Sequence, residues 1–221
     1  MDEPLVCCIL PYHTKDYRHK AIVCFLSQTY KKKHLICGDT SKSSMSIGVI
    51  RNSMNRQSPE GCLICHWDHD DWSSSDRIAS QVELLIKNNV NVTGYHDLPF
   101  YDVANALVLF YDSKMTGYAV GTSLMYRREV WERTPFPDKQ CGEDAAWQHA
   151  VRREQGIGVA STTSVVNGKP MMVARHHAGC VTETQEQPRS KQFGMGDNYK
   201  PASAELDRAV RACLSLSIVA Q

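Results

Sequence analysis

Two short apolar runs with a helical repeat between them open the chain, and they restrict it to few folds. Leu5-Val6-Cys7-Cys8-Ile9-Leu10 is continuously apolar and stops at Pro11, the pattern of a strand buried on both faces in a parallel sheet. A helix follows, with Thr14 or Asp16 as N-cap and Ala21, Ile22, Phe25 and Leu26 at helical spacing before Gln28-Thr29-Tyr30. Lys31-Lys32-Lys33 reads as a solvated loop, and His34-Leu35-Ile36-Cys37 as a second strand ending at Gly38-Asp39. Strand, helix and strand in this order predict a βαβ unit with a right-handed parallel crossover, and so an α/β fold.

The same alternation continues. Ser41 to Ser46 is a polar loop, Ile47 to Asn55 a helix, and Gly61 to Trp67 a third strand that runs into Asp68-His69-Asp70-Asp71. Asp76 or a preceding Ser caps a helix with Ile78, Val82, Leu85 and Ile86 on one face. Beyond it, Val90–Tyr95, Ala106–Tyr111 and Ala119–Tyr126 are expected strands, partly antiparallel; Glu143–Glu154 is an expected helix and Met171–Arg175 a last strand. Val181 to Lys200 is polar and reads as a flexible stretch, with an amphipathic helix over Ala204–Ile218.

Composition narrows the class. With 42% hydrophobic and 22% charged residues, the 221-residue chain can bury a sizeable core, which excludes disorder, collagen-like repeats and coiled coil. Lys+Arg 25 against Asp+Glu 24 leaves a net charge of +1, so no global field draws it to nucleic acid or anionic lipid. The acidic start Met1-Asp2-Glu3-Pro4 and the short apolar run after it resemble neither a signal peptide nor a membrane span. The expectation is a cytoplasmic protein without a transmembrane segment. Nine Cys, mostly in apolar runs (Cys7, Cys8, Cys24, Cys37, Cys62, Cys65), are then expected as reduced, buried thiols.

A strand that ends in carboxylates places them at the C-terminal sheet edge, where open α/β folds bind ligands. Asp68, Asp70 and Asp71 repel one another unless a cation or solvent lies between them, and hard oxygen donors suit Mg²⁺ or Mn²⁺. The alternative is a solvated acidic turn. Asp39, at the same edge, either accepts from a base N–H or a ribose hydroxyl, or closes an Asx turn. Glu143-Asp144 opens a helix, as dipole partners or with one of them as a general base. Cys62-Leu63-Ile64-Cys65-His66 spells a haem attachment site, but residues three apart in a strand face opposite sides. Arg175-His176-His177 reads as a polar loop or as the source of one imidazole ligand.

In order, Cys8-Ile9-Leu10-Pro11-Tyr12, Phe25-Leu26-Ser27-Gln28-Thr29-Tyr30, Gly38-Asp39-Thr40-Ser41, Arg51-Asn52, Trp67-Asp68-His69-Asp70-Asp71-Trp72, Asp76-Arg77-Ile78, Gly121-Thr122-Ser123-Leu124-Met125-Tyr126 and Gly142-Glu143-Asp144 resemble a family-2 glycosyltransferase of the GT-A fold. The resemblance covers about residues 5 to 180. It implies a GT-A type, Rossmann-like, mixed but mainly parallel sheet flanked by helices. Residues 1–180 would form the catalytic domain and 181–221 a flexible segment with a C-terminal helix. The implied activity moves a sugar from a nucleoside-diphosphate sugar, UDP-sugar favoured, to an acceptor hydroxyl with inversion, using Mn²⁺ or Mg²⁺. Pro11, Tyr12 and Thr14 would line the nucleotide pocket, Asp39 would bind the base, and Arg51 would lie by the nucleotide. Asp68 and Asp70 match the family's D-x-D motif, with Asp70 on the metal and Asp68 nearer the ribose or diphosphate. Asp144 matches the catalytic base, and His176 or His177 a further metal or diphosphate contact. Gly38-Asp39-Thr40-Ser41 has one acidic residue where the family often has two, which leaves the base preference open. The expectation is a minimal catalytic unit, without the family's carboxy-terminal membrane-associating or acceptor-binding domain.

The acceptor is a saccharide or glycoconjugate in one reading and a hydroxymethylated pyrimidine in DNA in another, with Lys31-Lys32-Lys33, Arg127-Arg128, Arg152-Arg153, Arg189 and Lys191 as the phosphate-contacting face. A sugar nucleotidyltransferase would need a Gly-rich loop after the first strand, where Pro11-Tyr12-His13-Thr14 stands instead. A non-catalytic nucleotide-sugar-binding module would not need Asp144.

Overall fold

The computed structural model describes residues 3–115, 117–177 and 198–219, with side chains to Ser215 in the last helix. The opening unit is β1 (Val6–Tyr12), α1 (Lys15–Leu26) and β2 (Lys33–Asp39), followed by α2 (Ile47–Asn55) and β3 (Leu63–His66). β1 pairs in parallel with β2 on one side and β3 on the other. Pro11 ends the apolar run but not the strand, and Lys33, expected in a loop, starts β2 with its ammonium bonded to the Gln28 and Tyr30 carbonyls.

The middle of the chain adds β4 (Trp72–Ser73), α3 (Arg77–Lys87), β5 (Val92–Tyr95), β6 (Asp97–Asp102), β7 (Leu107–Asp112), a 3₁₀ turn at Gly121–Ser123, β8 (Met125–Arg127) and α4 (Arg128–Arg133). Then come α5 (Glu143–Gln155), β9 (Ala160–Thr162), β10 (Val165–Val166), β11 (Lys169–Pro170), β12 (Met172–His176), β13 (Tyr199–Pro201) and α6 (Ala204–Val219). The main sheet has the order β2-β1-β3-β8-β5-β9, and β8 alone opposes its neighbours. This is the mixed, mainly parallel α/β sheet expected. A second sheet, β13-β7-β6-β12-β4, stands beside it.

Alternation along β1 divides the core. Cys7 and Ile9 face one layer with Ile64, Tyr126 and Trp147; Val6, Cys8 and Leu10 face the other with Leu63, Trp67 and Leu85. Burying each such aliphatic side chain contributes about 1.5–3 kcal/mol. Cys62 and Cys65 fall in opposite layers, so they share no ligand. Cys37 is exposed, against expectation, because β2 is the edge strand.

Four further expectations change. β6 was hidden by Pro99, which sits in the strand opposite Phe110. The expected strand over Ala119–Tyr126 is reduced to its end in β8 and preceded by the 3₁₀ turn, because Ser123 Oγ accepts from Tyr95 N and donates to Val120 O, replacing ladder bonds. Ile86 does not join the buried face of α3. Met171–Arg175 is not the last strand either, since β13 follows it and pairs with β7. Most of the expected flexible stretch, and the boundary at residue 180, lie outside the described residues. α6 lays Val210 and Leu214 against Val108 and Val173 of the second sheet.

Arg77, at the start of α3, is 1% exposed. It donates to the His66 and Thr122 carbonyls at 2.9 and 3.0 Å and to Ser73 Oγ at 2.9 Å, tying β3, the 3₁₀ turn and β4 together. Arg77→Met strands these acceptors without a donor, so a loss of about 2–3 kcal/mol in urea unfolding is expected. An unchanged midpoint would show that water replaces the guanidinium.

Candidate active site

β3 delivers Asp68, Asp70 and Asp71 to the C-terminal edge of the main sheet, and α5 delivers Glu143 and Asp144 from the opposite side. Between them lies a cavity of about 260 Å³ whose wall includes Pro11, Arg51, Asp68, Asp70, Gly121 and Asp144. Five expected site residues thus meet in one cleft. Tyr12, Thr14, Asp39 and His177 do not form its wall. Tyr12 lies under the Arg18 guanidinium, 4.6 Å from the ring centroid. Thr14 occupies the N-cap position of α1 without a side-chain capping bond. Asp39 is exposed and accepts from Ser41 N at 2.9 Å, the Asx turn of the alternative reading.

Arg51 is a charge balance inside the wall. It is 5% exposed and pairs with Asp68 at 3.4 Å and with Glu143. Burial works to raise the Asp68 carboxyl, but Arg51 and its other donors hold it below the usual carboxylate range. Burial raises Glu143 despite the same arginine. Glu143 lies in the first turn of α5, as a dipole partner would, and also serves the ion pair with Arg51, while Gly142, with a left-handed φ of 69°, holds the N-cap position.

Asp70 faces an imidazole group of neighbours. Its Oδ2 is 3.1 Å from His177 Nε2 and its Oδ1 is 3.7 Å from His69 Nδ1. The His13 and His69 ring centroids are 4.4 Å apart, and Tyr17 stacks on His177 at 4.6 Å. His177, not His176, is thus the residue beside Asp70; His176 stands in register with Asp102 on β12. A carboxylate and an imidazole in contact form an oxygen–nitrogen donor pair that suits Mn²⁺. Among the described residues no three His, Cys, Asp or Glu side chains already form a metal cage. Asp71 points away from this pair, accepting from Thr122 Oγ1 and from Arg175 N, and burial with its two acidic neighbours raises its carboxyl well above the usual range.

Asp144 rests against Gly121, where a Cβ would overlap its carboxylate. Burial raises the Tyr118 hydroxyl, and the Asp144 charge raises it further. The Gly121 carbonyl accepts from His66 Nδ1 at 2.7 Å, so Nδ1 carries the proton and Nε2 accepts from the Tyr126 hydroxyl at 3.2 Å. Burial and then Arg51 push His66 well below the usual histidine range, which keeps it neutral and fixes that tautomer. Sequence reasoning missed His13, Tyr17, Tyr118, Thr122 and the backbone role of Gly121, because each acts through a partner distant in the chain.

No family model matches the chain. It is 25% identical to an uncharacterized glycosyltransferase of Haemophilus influenzae over 143 residues, covering 53% of this chain and 57% of the relative. The chain therefore spans little more than half of that relative's length. Among solved structures it is similar to Staphylococcus aureus TarS 1-349 in complex with UDP-GlcNAc, with a TM-score of 0.61 and 15% identity over 81% of this chain and 61% of that one. It is also similar to the Pyrobaculum calidifontis mannosyltransferase PcManGT in complex with GDP-Man and Mn²⁺, with a TM-score of 0.56 and 15% identity over 99% and 74%. The fold is that of these glycosyltransferases. No helix among the described residues is long and apolar enough to cross a membrane.

Proposed function

We propose that the protein is a metal-dependent, inverting glycosyltransferase of family-2 type that uses a nucleoside-diphosphate sugar, with a UDP-sugar favoured. The observation that carries this reading is the cavity that Asp68 and Asp70 share with Asp144 across its width. Asp70 and His177 would hold Mn²⁺ or Mg²⁺, completed by the donor's phosphates, as divalent ions bound by one or two carboxylates commonly are. When bound, the ion supplies charge neutralisation at the diphosphate leaving group. Asp68, held ionised by Arg51, orients the ribose or diphosphate. Asp144 accepts the proton of the acceptor hydroxyl as that oxygen attacks the anomeric carbon from the face opposite the departing nucleotide. The acceptor is a saccharide or glycoconjugate.

Thermal unfolding with UDP, GDP, CDP, ADP and TDP, each with Mn²⁺ or chelator, tests the donor half. One nucleotide is expected to stabilise the chain in Mn²⁺ alone, by about 2.7 kcal/mol at a hundredfold excess over Kd. Asp70→Ala is expected to abolish that shift. Stabilisation unaffected by chelator would remove the metal from the reading; none by any nucleotide would leave no donor site.

A further inference from the structure

The cavity wall is apolar in part. Phe100, on β6, lines the cavity. Tyr111 on β7 stands opposite Leu98 and Tyr199, and Phe100 lies two residues beyond Leu98, so strand alternation puts Phe100, Tyr111 and Tyr199 on one sheet face. Their rings touch in sequence. Tyr111 and Tyr199 have centroids 4.9 Å apart, and Phe100 lies 5.7 Å from Tyr199 and 6.2 Å from Tyr111. All three are half-buried. Phe100 and Asp144 line the same cavity, and the Asp144 charge reaches Tyr118 and Tyr111, whose hydroxyls burial already raises.

We propose that Phe100, Tyr111 and Tyr199 form the platform on which a sugar ring of the acceptor stacks, presenting its hydroxyl to Asp144. The proposal rests on the glycosyltransferase reading above. A pyranose has an apolar face of C–H bonds rimmed by hydroxyls, and an aromatic surface with phenol groups at its edge meets both. A phosphodiester is a poor fit. The wall carries five carboxylates, Asp68, Asp70, Asp71, Glu143 and Asp144, and its arginines are engaged, Arg51 by Asp68 and Glu143 and Arg175 by the Asp70 carbonyl at 2.7 Å. The platform therefore selects a neutral carbohydrate over duplex DNA.

Saturation-transfer NMR on the full chain with UDP and Mn²⁺ tests this, using methyl glycosides of glucose, galactose, mannose and N-acetylglucosamine as probes and a short DNA duplex as competitor. At least one glycoside is expected to receive saturation on its ring C–H protons. Phe100→Leu and Tyr199→Leu keep apolar bulk but remove the ring, and each is expected to weaken binding about tenfold. Tyr199→Phe should restore it. No saturation on any glycoside, full retention in folded Leu variants, or binding of the duplex in their place would overturn the platform. If Tyr199→Leu does not fold, Phe100→Leu carries the comparison. UDP titrated into the same samples separates the two readings: loss of UDP binding alone would overturn the donor site and leave the platform standing.

Discussion

Asp144→Asn is expected to lower sugar transfer by about 10²–10⁴-fold while leaving nucleotide binding intact. The amide keeps the size of the carboxylate and its seat against Gly121. What it loses is the capacity to take a proton from the acceptor hydroxyl. Steady-state transfer beside nucleotide titration reads the two effects separately. Transfer at the wild-type rate would take Asp144 out of the base role, and joint loss of transfer and nucleotide binding would assign it to donor binding. The same variant separates an enzyme from a non-catalytic nucleotide-sugar-binding module, whose function the substitution would spare.

Arg51→Met is expected to cost about 3–5 kcal/mol of stability at neutral pH, because it leaves Asp68 and Glu143 in the wall without their shared cation. The pH dependence has a definite sign. Burial already raises the Glu143 carboxyl in the folded protein, and Arg51 is the main charge that opposes that rise. A carboxyl whose folded pKa lies above its unfolded value takes up protons on folding, so stability is greatest below the unfolded value and falls as pH rises through the folded one. Asp68, held low by Arg51 in the parent, should move in the same direction in the variant. The deficit of Arg51→Met relative to the parent should therefore shrink from pH 7.5 towards about pH 5. Urea unfolding at both pH values checks this; a deficit independent of pH would mean that lost packing, not stranded charge, is the cost.

The architecture was largely legible because its signals are local. A six-residue apolar run and an adjacent helical repeat fix the first βαβ unit, and α2 begins and ends where the pattern places it, at Ile47 and Asn55. The convergence of Asp68, Asp70 and Asp144 follows from one strand end and one helix start. Residues whose role lies in distant contacts were harder to read. Gln28, within the segment Phe25–Tyr30 that carries part of the resemblance, is buried at 2% exposure. It donates to Ser74 O at 2.7 Å and accepts from Ile78 N at 3.1 Å, so it caps α3 where Asp76 makes no capping bond. A motif quoted for its resemblance to an enzyme family is here a joint between helices. Arg51 is a similar case: expected beside a nucleotide, it neutralises the wall that a nucleotide would meet. Asp39 ends β2 where the pattern places it, and its side chain closes the Asx turn that the local sequence already offered, a turn that needs only the next two residues.

The second sheet has a mechanical consequence. β4 follows the acidic loop directly, β12 pairs with β4 and with β6, and β6 carries Phe100. Two strand steps of about 4.8 Å each therefore span the distance from the acidic end of the cleft to its aromatic end. Hydrogen-bonded strands do not stretch, so this span works as a gauge that fixes the separation of the two ends. Adaptation to longer or shorter substrates then falls to side chains, and a single-residue insertion in β12 would keep this spacing but turn the side chains beyond it to the opposite face.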